Sequence, residues 1–586
     1  MTDNRYRAPV TGYCLLITSH FLLLTSSCIL GLNGSATTVK EFAMDWGPRK
    51  DLYDFVVIGS GFGGSISAMR LTEKGYSVLV LERGRRFRDE DYPKTNWNVF
   101  RFLWLPALRC FGIQEMTLLN GVLALTGSGV GGGSLVYAGV LMEPEDVLFK
   151  APAWKHLNDW NKVLRPHYQT ARRMLGVAEN PCLGPADDVL QEIAAELGMG
   201  DTFQPTRVSI FFGEPGREGE AFPDPYFKGQ GPTRNSCIHC GECMIGCRHN
   251  AKNSLDKNYL YFAEKLGAEI IPEAEAVDIR PLDAAQSNEA RYEVAYRRST
   301  AWPLRPERTV RARNVVVSAG MLGTLRLLFR CRDVTGTLPE ISPRLGDMAR
   351  TNSEGFVGAT TREKEMDYSK GIAITSIFKA DPVTSIESVR YPDGSSFIRL
   401  LAAPLIDHGA SRWLVRFLKT VREALRRPLD FLDFKVFGRW ARRTTILMAM
   451  QTEDNLMRMR LGRNLFTLFR RGLVTELDCE RPVKAEIETG HRIGREFAKR
   501  TNGIPQGAFN ESLLNTPVTA HIMGGVSFGR KAGEGVIDLN CQVFNYPGLY
   551  VIDGSIMPAN PGINPSLTIA ALAEYAMSRM VEKSRA

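Results

Sequence analysis

Residues 53–64, YDFVVIGSGFGG, and residues 78–82, VLVLE, are the stretches of sequence that decide the fold. The apolar run before Gly59 is typical of a buried strand, and the segment from Ser65 to Lys74 is typical of a helix. The second run ends on Glu82, 18 residues beyond the last glycine. A strand, a G-x-G-x-x-G turn, a helix, a second strand and an acid in this order predict a dinucleotide-binding α/β unit.

Each glycine of the turn has its own task in such a unit. Gly59 permits the tight turn, Gly61 lets the backbone approach a pyrophosphate, and Gly64 lets the helix pack closely on the strand. Glu82 lies where a ribose diol would donate hydrogen bonds. The predicted cofactor contacts of this segment are therefore Gly59, Gly61, Phe62, Gly63, Gly64 and Glu82. The alternative is a glycine-rich turn of another α/β fold.

The composition is that of an ordinary globular protein, large enough for two or more structural units. The chain has 586 residues, of which 44% are hydrophobic and 23% charged, and its formal net charge is +9. That charge is modest at this size and does not indicate nucleic acid, so we expect no nucleic-acid partner. Four of the eleven cysteines fall within eleven residues. This clustering favours a reducing compartment and a metal or cluster site over a disulfide framework.

Residues 1–51 form an N-terminal extension with two interpretations. Arginines precede an apolar stretch from Tyr13 to Leu32, which resembles a secretory signal. Alternatively the start of the gene is placed too early and translation begins at Met44, just before the first strand. We favour the second interpretation and a cytoplasmic protein, peripheral to a membrane at most. A true signal would instead imply a secreted or periplasmic protein.

The predicted fold class is α/β with a discontinuous first domain. A Rossmann-like domain is expected over 52–350 and 516–586, with a cysteine-rich loop at 234–255. Between 351 and 515 the sequence changes to mixed strands and long basic helices, which predicts an inserted α+β domain that binds substrate.

Three motifs in the last third give the chain a specific resemblance to a known family. They are His521-Ile522-Met523-Gly524-Gly525, Ile552-Asp553-Gly554-Ser555 and Asn564-Pro565-Ser566-Leu567-Thr568. With the N-terminal turn and a glycine loop at 129–134, they resemble the glucose–methanol–choline (GMC) oxidoreductases, and within them the cholesterol oxidase branch. The resemblance runs from Leu52 to Met580. It implies FAD as cofactor, an alcohol as substrate, and a GMC-type FAD-binding domain with an inserted substrate-binding domain.

The resemblance also implies roles for individual residues. His521 is expected to handle the hydroxyl proton and Asn564 to orient the hydroxyl, because oxidising an alcohol requires loss of that proton. Further cofactor contacts are implied at Gly132, Gly133, Ser134, Val140, Asp553, Gly554 and Ser566. Two alternatives stay open, namely that His521 is a buried structural histidine and that the glycine loop is a flexible linker.

Two departures from the cholesterol oxidase branch concern the active site. Tyr137 stands where secreted sterol oxidases carry an asparagine after the glycine loop. No convincing counterpart of their active-site glutamate is found, and Asp407 is only a weak candidate. Both departures argue against isomerisation of a steroid double bond, because that step needs a carboxylate.

The cysteines Cys237, Cys240, Cys243 and Cys247 follow the pattern C-x2-C-x2-C-x3-C. This is the spacing of bacterial ferredoxins without the proline that follows there. An iron–sulfur cluster of three or four irons is one interpretation, a zinc site is a less favoured one, and a thiol-rich structural loop is the third. A cluster would imply export of single electrons to a carrier.

The segment 412–443 holds ten Lys or Arg residues against three acidic residues. At helical spacing, basic residues including Arg416 and Lys419 share one face, and apolar residues including Phe417 and Leu425 share the other. This pattern suits an anionic membrane surface. The alternative is a solvated surface helix that packs on the core.

The function expected from these features is oxidation of a sterol hydroxyl, or that of a similar lipid alcohol, by FAD with oxygen as acceptor. A second interpretation is a dehydrogenase that passes electrons to a carrier through the cysteines. A third is a flavin- and lipid-binding sensor without turnover.

Overall fold

The computed structural model describes residues 46–283, 289–406 and 413–584. The predicted N-terminal extension, up to residue 45, lies outside the described residues, as do Asp407 and Arg412. Within the described ranges, we find no helix whose length and hydropathy would suit a membrane span.

The first of two large sheets carries the glycine turn. Its strands are, in spatial order, Glu269–Ile271, Val78–Leu81, Leu52–Ile58, Glu307–Val317, Tyr292–Arg298 and Ala274–Pro281, with Leu549–Val551 paired to the end of Glu307–Val317. The pairs on the Leu52–Ile58 side are parallel, and the last two strands are antiparallel. The parallel strands are continuous apolar runs because helices cover both faces of this part of the sheet.

The helices that pack around this sheet include a C-terminal one. They are Phe62–Glu73, Trp160–Met174, Tyr259–Lys265, Gly320–Asp333 and Ser566–Ser578. The last helix packs between Phe62–Glu73 and Trp160–Met174. It is buried on almost every side, which explains why its sequence is rich in alanine rather than amphipathic. The chain thus returns to the first sheet at its C-terminal end.

The second sheet is antiparallel throughout. Its seven strands are, in spatial order, Ala402–Pro404, Gly503–Ala508, Glu354–Thr361, Thr444–Gln451, Thr384–Val389, Ile374–Lys379 and Gln204–Pro205. The helices Pro185–Glu196 and Glu488–Arg500 cover one face and form a separate apolar core with it. The other face is directed towards the first sheet and lines a cavity.

Two segments do not follow the predicted division at residues 351 and 515. The strand Gln204–Pro205 and the helix Pro185–Glu196 belong to the second sheet, although they precede 351. The hairpin Met457–Gly462 and Gly472–Leu477 lies within the inserted range, but its buried residues join the core of the first sheet. Alternation of apolar residues gives the hairpin one buried face, and that face packs on the helix Gly320–Asp333.

Candidate active site

A cavity of about 380 Å³ lies between the two sheets. From the second sheet, its walls are mainly apolar side chains, contributed by Phe356, Ile374, Val389, Ile446 and Met448. From the first, they are the glycine turn, the glycine loop and the starts of helices. The cavity therefore has a polar backbone wall on one side and an apolar wall on the other.

Three helices begin at this cavity. Gly61 and Phe62 at the start of the first helix line it, as do Gly320 and Ser566 at the starts of two others. Helix N-termini present free N–H groups and the positive end of the helix dipole, which together suit an anion. A dinucleotide pyrophosphate is such an anion.

Glycines of the turn and of the glycine loop fall into two groups according to the space around them. At Gly61 and Gly133, which line the cavity, no atom lies within 4 Å of the position of an added Cβ. At Gly59, Gly63 and Gly64, an added Cβ would fall within 2.3 Å of a backbone oxygen. The first pair leaves room for a ligand and the other three let the chain pack against itself. The residues present therefore fit a bound dinucleotide such as FAD.

Five other predicted cofactor residues line the cavity, and three do not, namely Gly132, Ser134 and Glu82. Phe62, Val140, Asp553, Gly554 and Ser566 line it. The backbone of Gly132 packs on the glycine turn, so that an added Cβ would lie 2.6 Å from the Gly61 Cα.

Ser134 also lies outside the lining of the cavity. Its hydroxyl donates to the Gly131 carbonyl (2.7 Å) and accepts from the Leu255 N–H (3.0 Å). The side chain therefore fixes the shape of the glycine loop, and any cofactor contact must come through the backbone.

Glu82 organises the glycine turn from beside the cavity. One carboxylate oxygen accepts from the Ser60 N–H (3.0 Å) and hydroxyl (2.6 Å), and the other from the Gly84 N–H (2.8 Å). A carboxylate offers about four lone-pair sites, so one stays for a ribose hydroxyl. Glu82 itself is 5% exposed and does not line the cavity.

The catalytic residue predicted at position 521 lies beside a buried carboxylate. His521 lines the cavity, and its Nδ1 lies 2.6 Å from Oε1 of Glu354, which is completely buried. The contact is close but lacks the alignment of a linear hydrogen bond, and this oxygen has no other partner. The other oxygen of Glu354 accepts from the Thr519 hydroxyl. The Asn352 amide lies 3.4 Å from the same ring nitrogen. These neighbours leave Nε2 to face a molecule in the cavity.

Asn564 lies beside a second buried carboxyl group. Its Nδ2 donates to Oε2 of Glu387 (3.4 Å), while its Oδ1 and the Oε1 of Glu387 have no partner. Both residues are buried, and Asn564 lines the cavity. Buried polar atoms without partners are rare, so this pair is suited to receiving hydrogen bonds from a bound molecule.

The three ionisable groups shift one another's pKa values. Burial raises the pKa of Glu387 to about 8, with a further contribution from the charge of Glu354, although His521 and Asn564 oppose the rise. Burial lowers the pKa of His521, but the carboxylate of Glu354, with a smaller contribution from Glu387 in its charged form, outweighs burial and holds the pKa above its usual value. At neutral pH, Glu387 is therefore mostly a neutral acid.

The expectation that the inserted domain supplies no convincing carboxylate was wrong. Glu354 and Glu387 lie on the two strands that flank Thr444–Gln451, one on each side of it. They pair with Met450 and Met448 respectively, on the side of the sheet that faces the cavity. Each is the only charged residue of its own strand, and that isolation was the available signal. Tyr137, at the departure from the sterol oxidase pattern, also lines the cavity and contacts the Ser209 hydroxyl.

The four predicted metal-binding cysteines lie together in a different place. Cys237, Cys240, Cys243 and Cys247 all border one small cavity beside the active site, and none forms a disulfide. Cys237 and Cys243 are buried, and the other two are partly buried.

The helix of the basic segment buries a basic side chain and exposes its apolar ones, whereas an ordinary surface helix buries its apolar side. Within Trp413–Arg426, Arg416 is buried and donates to the Glu511 carbonyl (3.0 Å). The apolar residues Leu414, Phe417, Leu418 and Leu425 are exposed. The predicted basic face is therefore divided, since Arg416 is buried while Lys419, Arg426 and Arg427 are exposed, and the exposed apolar residues do not pack on the core as the alternative expected.

Comparisons with known proteins agree with this architecture. Family models described as GMC oxidoreductase match residues 232–331 and 478–573, and a model of an NAD(P)-binding Rossmann-like domain matches residues 57–95. The chain is 44% identical over 532 residues to a cholesterol oxidase of Acinetobacter baumannii, covering 91% of this chain and 95% of that one. It is 43% identical over 542 residues to a cholesterol oxidase of Mycobacterium tuberculosis, covering 90% of each.

More distant proteins share the same organisation. A long-chain-alcohol oxidase of Arabidopsis thaliana is 26% identical over 569 residues, which cover 90% of this chain and 67% of that protein. The crystal structure of pyridoxine 4-oxidase from Mesorbium loti superposes with a TM-score of 0.56 at 15% identity, covering 90% of this chain and 99% of that one. This structural similarity concerns the fold.

Proposed function

The chain belongs to the GMC oxidoreductase family, whose members are FAD-dependent, and on that premise we propose that it oxidises the ring hydroxyl of a sterol with oxygen as acceptor. The observation that carries the proposal is the cavity itself. A wall of apolar side chains, suited to a hydrocarbon skeleton, lies beside His521, Asn564 and two buried carboxyl groups. Relatives above 40% identity are named cholesterol oxidases, which supports a sterol over other alcohols.

The residues of the cavity divide the work of the reaction. The amide hydrogen that Asn564 does not give to Glu387 is donated to the oxygen of the substrate hydroxyl and orients it, which leaves the hydroxyl proton free for His521. Nε2 of His521 receives the hydroxyl proton, and the carboxylate of Glu354 stabilises the imidazolium that results. FAD, when bound at the glycine turn, supplies the acceptor for the hydride of the carbinol carbon. The apolar side chains exclude water and strengthen the ion pair.

Glu387 extends the proposal to a second proton transfer. Oxidation of a sterol that has a nearby ring double bond yields a ketone whose intervening carbon is acidic. Glu387 is a carboxyl group beside Asn564 with an unpartnered oxygen and a pKa of about 8. Its carboxylate form is a stronger base than an ordinary carboxylate, so it can move that proton and bring the double bond into conjugation. We therefore include isomerisation, against the sequence-based expectation.

The test is a comparison of alcohols on the purified holoenzyme. Oxygen uptake and product mass are measured with cholesterol, a long-chain primary alcohol and choline at equal concentrations in detergent. The proposal predicts that cholesterol has the highest kcat/KM and gives a ketone and hydrogen peroxide. A preference for the long-chain primary alcohol, or turnover only with a one-electron oxidant in place of oxygen, would contradict it.

A surface next to the cavity suits a membrane. The apolar residues exposed on Trp413–Arg426 continue into Leu429, which is 80% exposed. Around them lie the exposed basic residues Arg422, Arg426 and Arg427. This helix contacts Phe509–Leu514 and the strand Ala402–Pro404, and both segments carry residues that line the cavity. We propose that the apolar side chains enter the interface of an anionic membrane, from which the sterol reaches the cavity.

Sedimentation with lipid vesicles tests this docking. Replacing Leu418 and Leu425 with aspartate should weaken binding to anionic vesicles at least tenfold, because each buried leucine contributes about 1.5–3 kcal/mol. Leu304→Asp, at a leucine that is 82% exposed elsewhere, is the control. Binding should fall at high salt. Unchanged binding by the double variant, or an apolar surface used instead for dimerisation, would contradict the proposal.

A further inference from the structure

The four clustered cysteines have a chemistry that alcohol oxidation does not use. They lie in the loop before the helix Tyr259–Lys265, and their sulfur atoms border one small cavity together with Lys252 and His249. An isolated β-bridge pairs Cys240 with Gly371, which shortly precedes the strand Ile374–Lys379 of the second sheet. This bridge holds the loop in place. The four thiols are therefore presented to a common space by ordered backbone.

Two of the four sulfur atoms accept a backbone N–H. The His239 N–H donates to Cys237 Sγ and the Lys252 N–H to Cys247 Sγ, both at 3.4 Å. A neutral thiol is a weak acceptor, whereas a thiolate is an anion that such donors stabilise. Hydrogen bonds to the sulfurs are also a general feature that tunes iron–sulfur centres.

A buried cation lies beside the cysteines. The ammonium group of Lys252, whose side chain is 3% exposed, donates to the carbonyls of Cys243 (2.6 Å), Leu135 (2.9 Å) and Tyr137 (3.3 Å). None of the hydrogen-bond acceptors that the described residues offer it is a carboxylate. A buried charge needs a counter-charge, and metal-bound thiolates at Cys243 and Cys247 would supply one in addition to the nearby carboxylate of Asp256.

The spacing of the sulfurs argues against one metal ion held by four thiolates. Zn–S bonds of about 2.3 Å place tetrahedral sulfurs roughly 3.8 Å apart. Among the described residues, no three of these sulfurs lie within 4.8 Å of one another. The one group of potential ligands that close is Cys240, Glu242 and His249. A cluster of several irons bridged by sulfide holds its thiolates farther apart than a single ion does.

From these contacts we infer that Cys237, Cys240, Cys243 and Cys247 bind an iron–sulfur cluster with three or four irons. The soft thiolates select iron–sulfur chemistry over harder ions, and the N–H donors of His239 and Lys252, with the Lys252 ammonium, offset the negative charge of the thiolates. The site is separate from the alcohol site, so it does not depend on which alcohol the protein oxidises.

The cluster site and the active-site cavity share a wall. Cys243 borders the small cavity, and the next residue, Met244, lines the large one. Lys252 also joins the cysteine loop to the glycine loop through the carbonyls of Leu135 and Tyr137. A cluster here would therefore be a neighbour of a group bound in the large cavity.

The first test is analysis of the full-length protein purified without oxygen. We expect about three to four irons and a similar amount of acid-labile sulfide per chain. The visible spectrum should show broad absorption beneath the flavin bands, and electron paramagnetic resonance should show a cluster signal in the oxidised or the dithionite-reduced protein. Iron-free protein with a full content of FAD would overturn the inference.

Variants distinguish the cluster from a single ion. Cys237→Ser should lose iron and sulfide together, whereas Cys479→Ser, at an exposed cysteine outside the loop, should retain both. A single ion held by Cys240, Glu242 and His249 would instead be retained in Cys237→Ser and lost in His249→Ala. If the protein contains one zinc per chain that responds to the two variants in this way, the inference is overturned. FAD content and thermal unfolding of each variant separate loss of the cluster from loss of the fold. These readouts do not use alcohol turnover, so they stand if the proposed substrate is wrong.

Discussion

Replacing Glu354 with glutamine should shift the pH dependence of alcohol oxidation towards acid. The carboxylate lies 2.6 Å from Nδ1 of His521 and is completely buried. Glutamine keeps the size of the side chain and its contact with the Thr519 hydroxyl, but removes the charge. His521 must be neutral to accept the substrate proton, so a lower pKa extends activity to lower pH.

The size of the shift follows from the geometry. An opposite charge within about 4–6 Å typically moves a pKa by about 1–3 units, and one unit corresponds to about 1.4 kcal/mol. In the variant, burial of the ring still lowers the pKa of His521 and only Glu387 opposes it. We therefore expect the acid limb to move down by about 1–3 pH units. The maximal rate should also fall, because a weaker base accepts the proton less readily.

The assay is the rate of flavin bleaching by substrate without oxygen, followed by stopped flow across pH. Glu453→Gln, which removes one charge from a surface pair with Lys484, is the matched control and should leave the profile unchanged. Glu387 also titrates near His521, so Glu387→Gln identifies the limb that belongs to the histidine. A uniformly lower rate with an unmoved acid limb would show that Glu354 acts only by packing and would refute the reasoning.

Three further results are expected. Gly61→Val should purify without yellow colour, because its side chain would occupy the open space at the start of the first helix; full FAD content would contradict the assignment of the cradle. Glu387→Gln should release mainly the unconjugated ketone, seen by product chromatography, while wild-type conjugation should rise with pH through about 8; a conjugated product from the variant would exclude Glu387. Asn564→Ala should slow flavin bleaching while FAD stays bound, because the hydroxyl loses its partner; wild-type bleaching kinetics would count against it.

The parts of the fold that the sequence predicted are those with local signals. The glycine turn lies between the strands Leu52–Ile58 and Val78–Leu81, as its pattern indicates, because backbone sterics there demand glycine. The return of the chain to the first sheet depends on the strand Leu549–Val551, whose apolar run is visible in the sequence. The motifs around His521 and Asn564 likewise named two residues that the fold brings to one cavity.

What the sequence could not supply depends on strand register and on packing between distant segments. Glu354 and Glu387 are 33 positions apart and meet the catalytic residues only through the order of strands in the second sheet. A single acid in a short strand predicts neither burial nor a partner. The sequence also could not predict which side of the helix Trp413–Arg426 is buried, for a similar reason. Its amphipathic pattern identified two faces, but Glu511 in a later helix decides that the side with Arg416 is buried.

The most direct test of the central claim is the rate of flavin bleaching when the anaerobic enzyme is mixed with cholesterol, compared between wild type and His521→Ala. The account predicts rapid bleaching and a ketone product in the wild type. It predicts a rate roughly 10²–10⁴-fold lower in the variant, the usual effect of losing a general base, with FAD content unchanged. A wild-type flavin that no sterol bleaches, or equal rates in the two proteins, would contradict it.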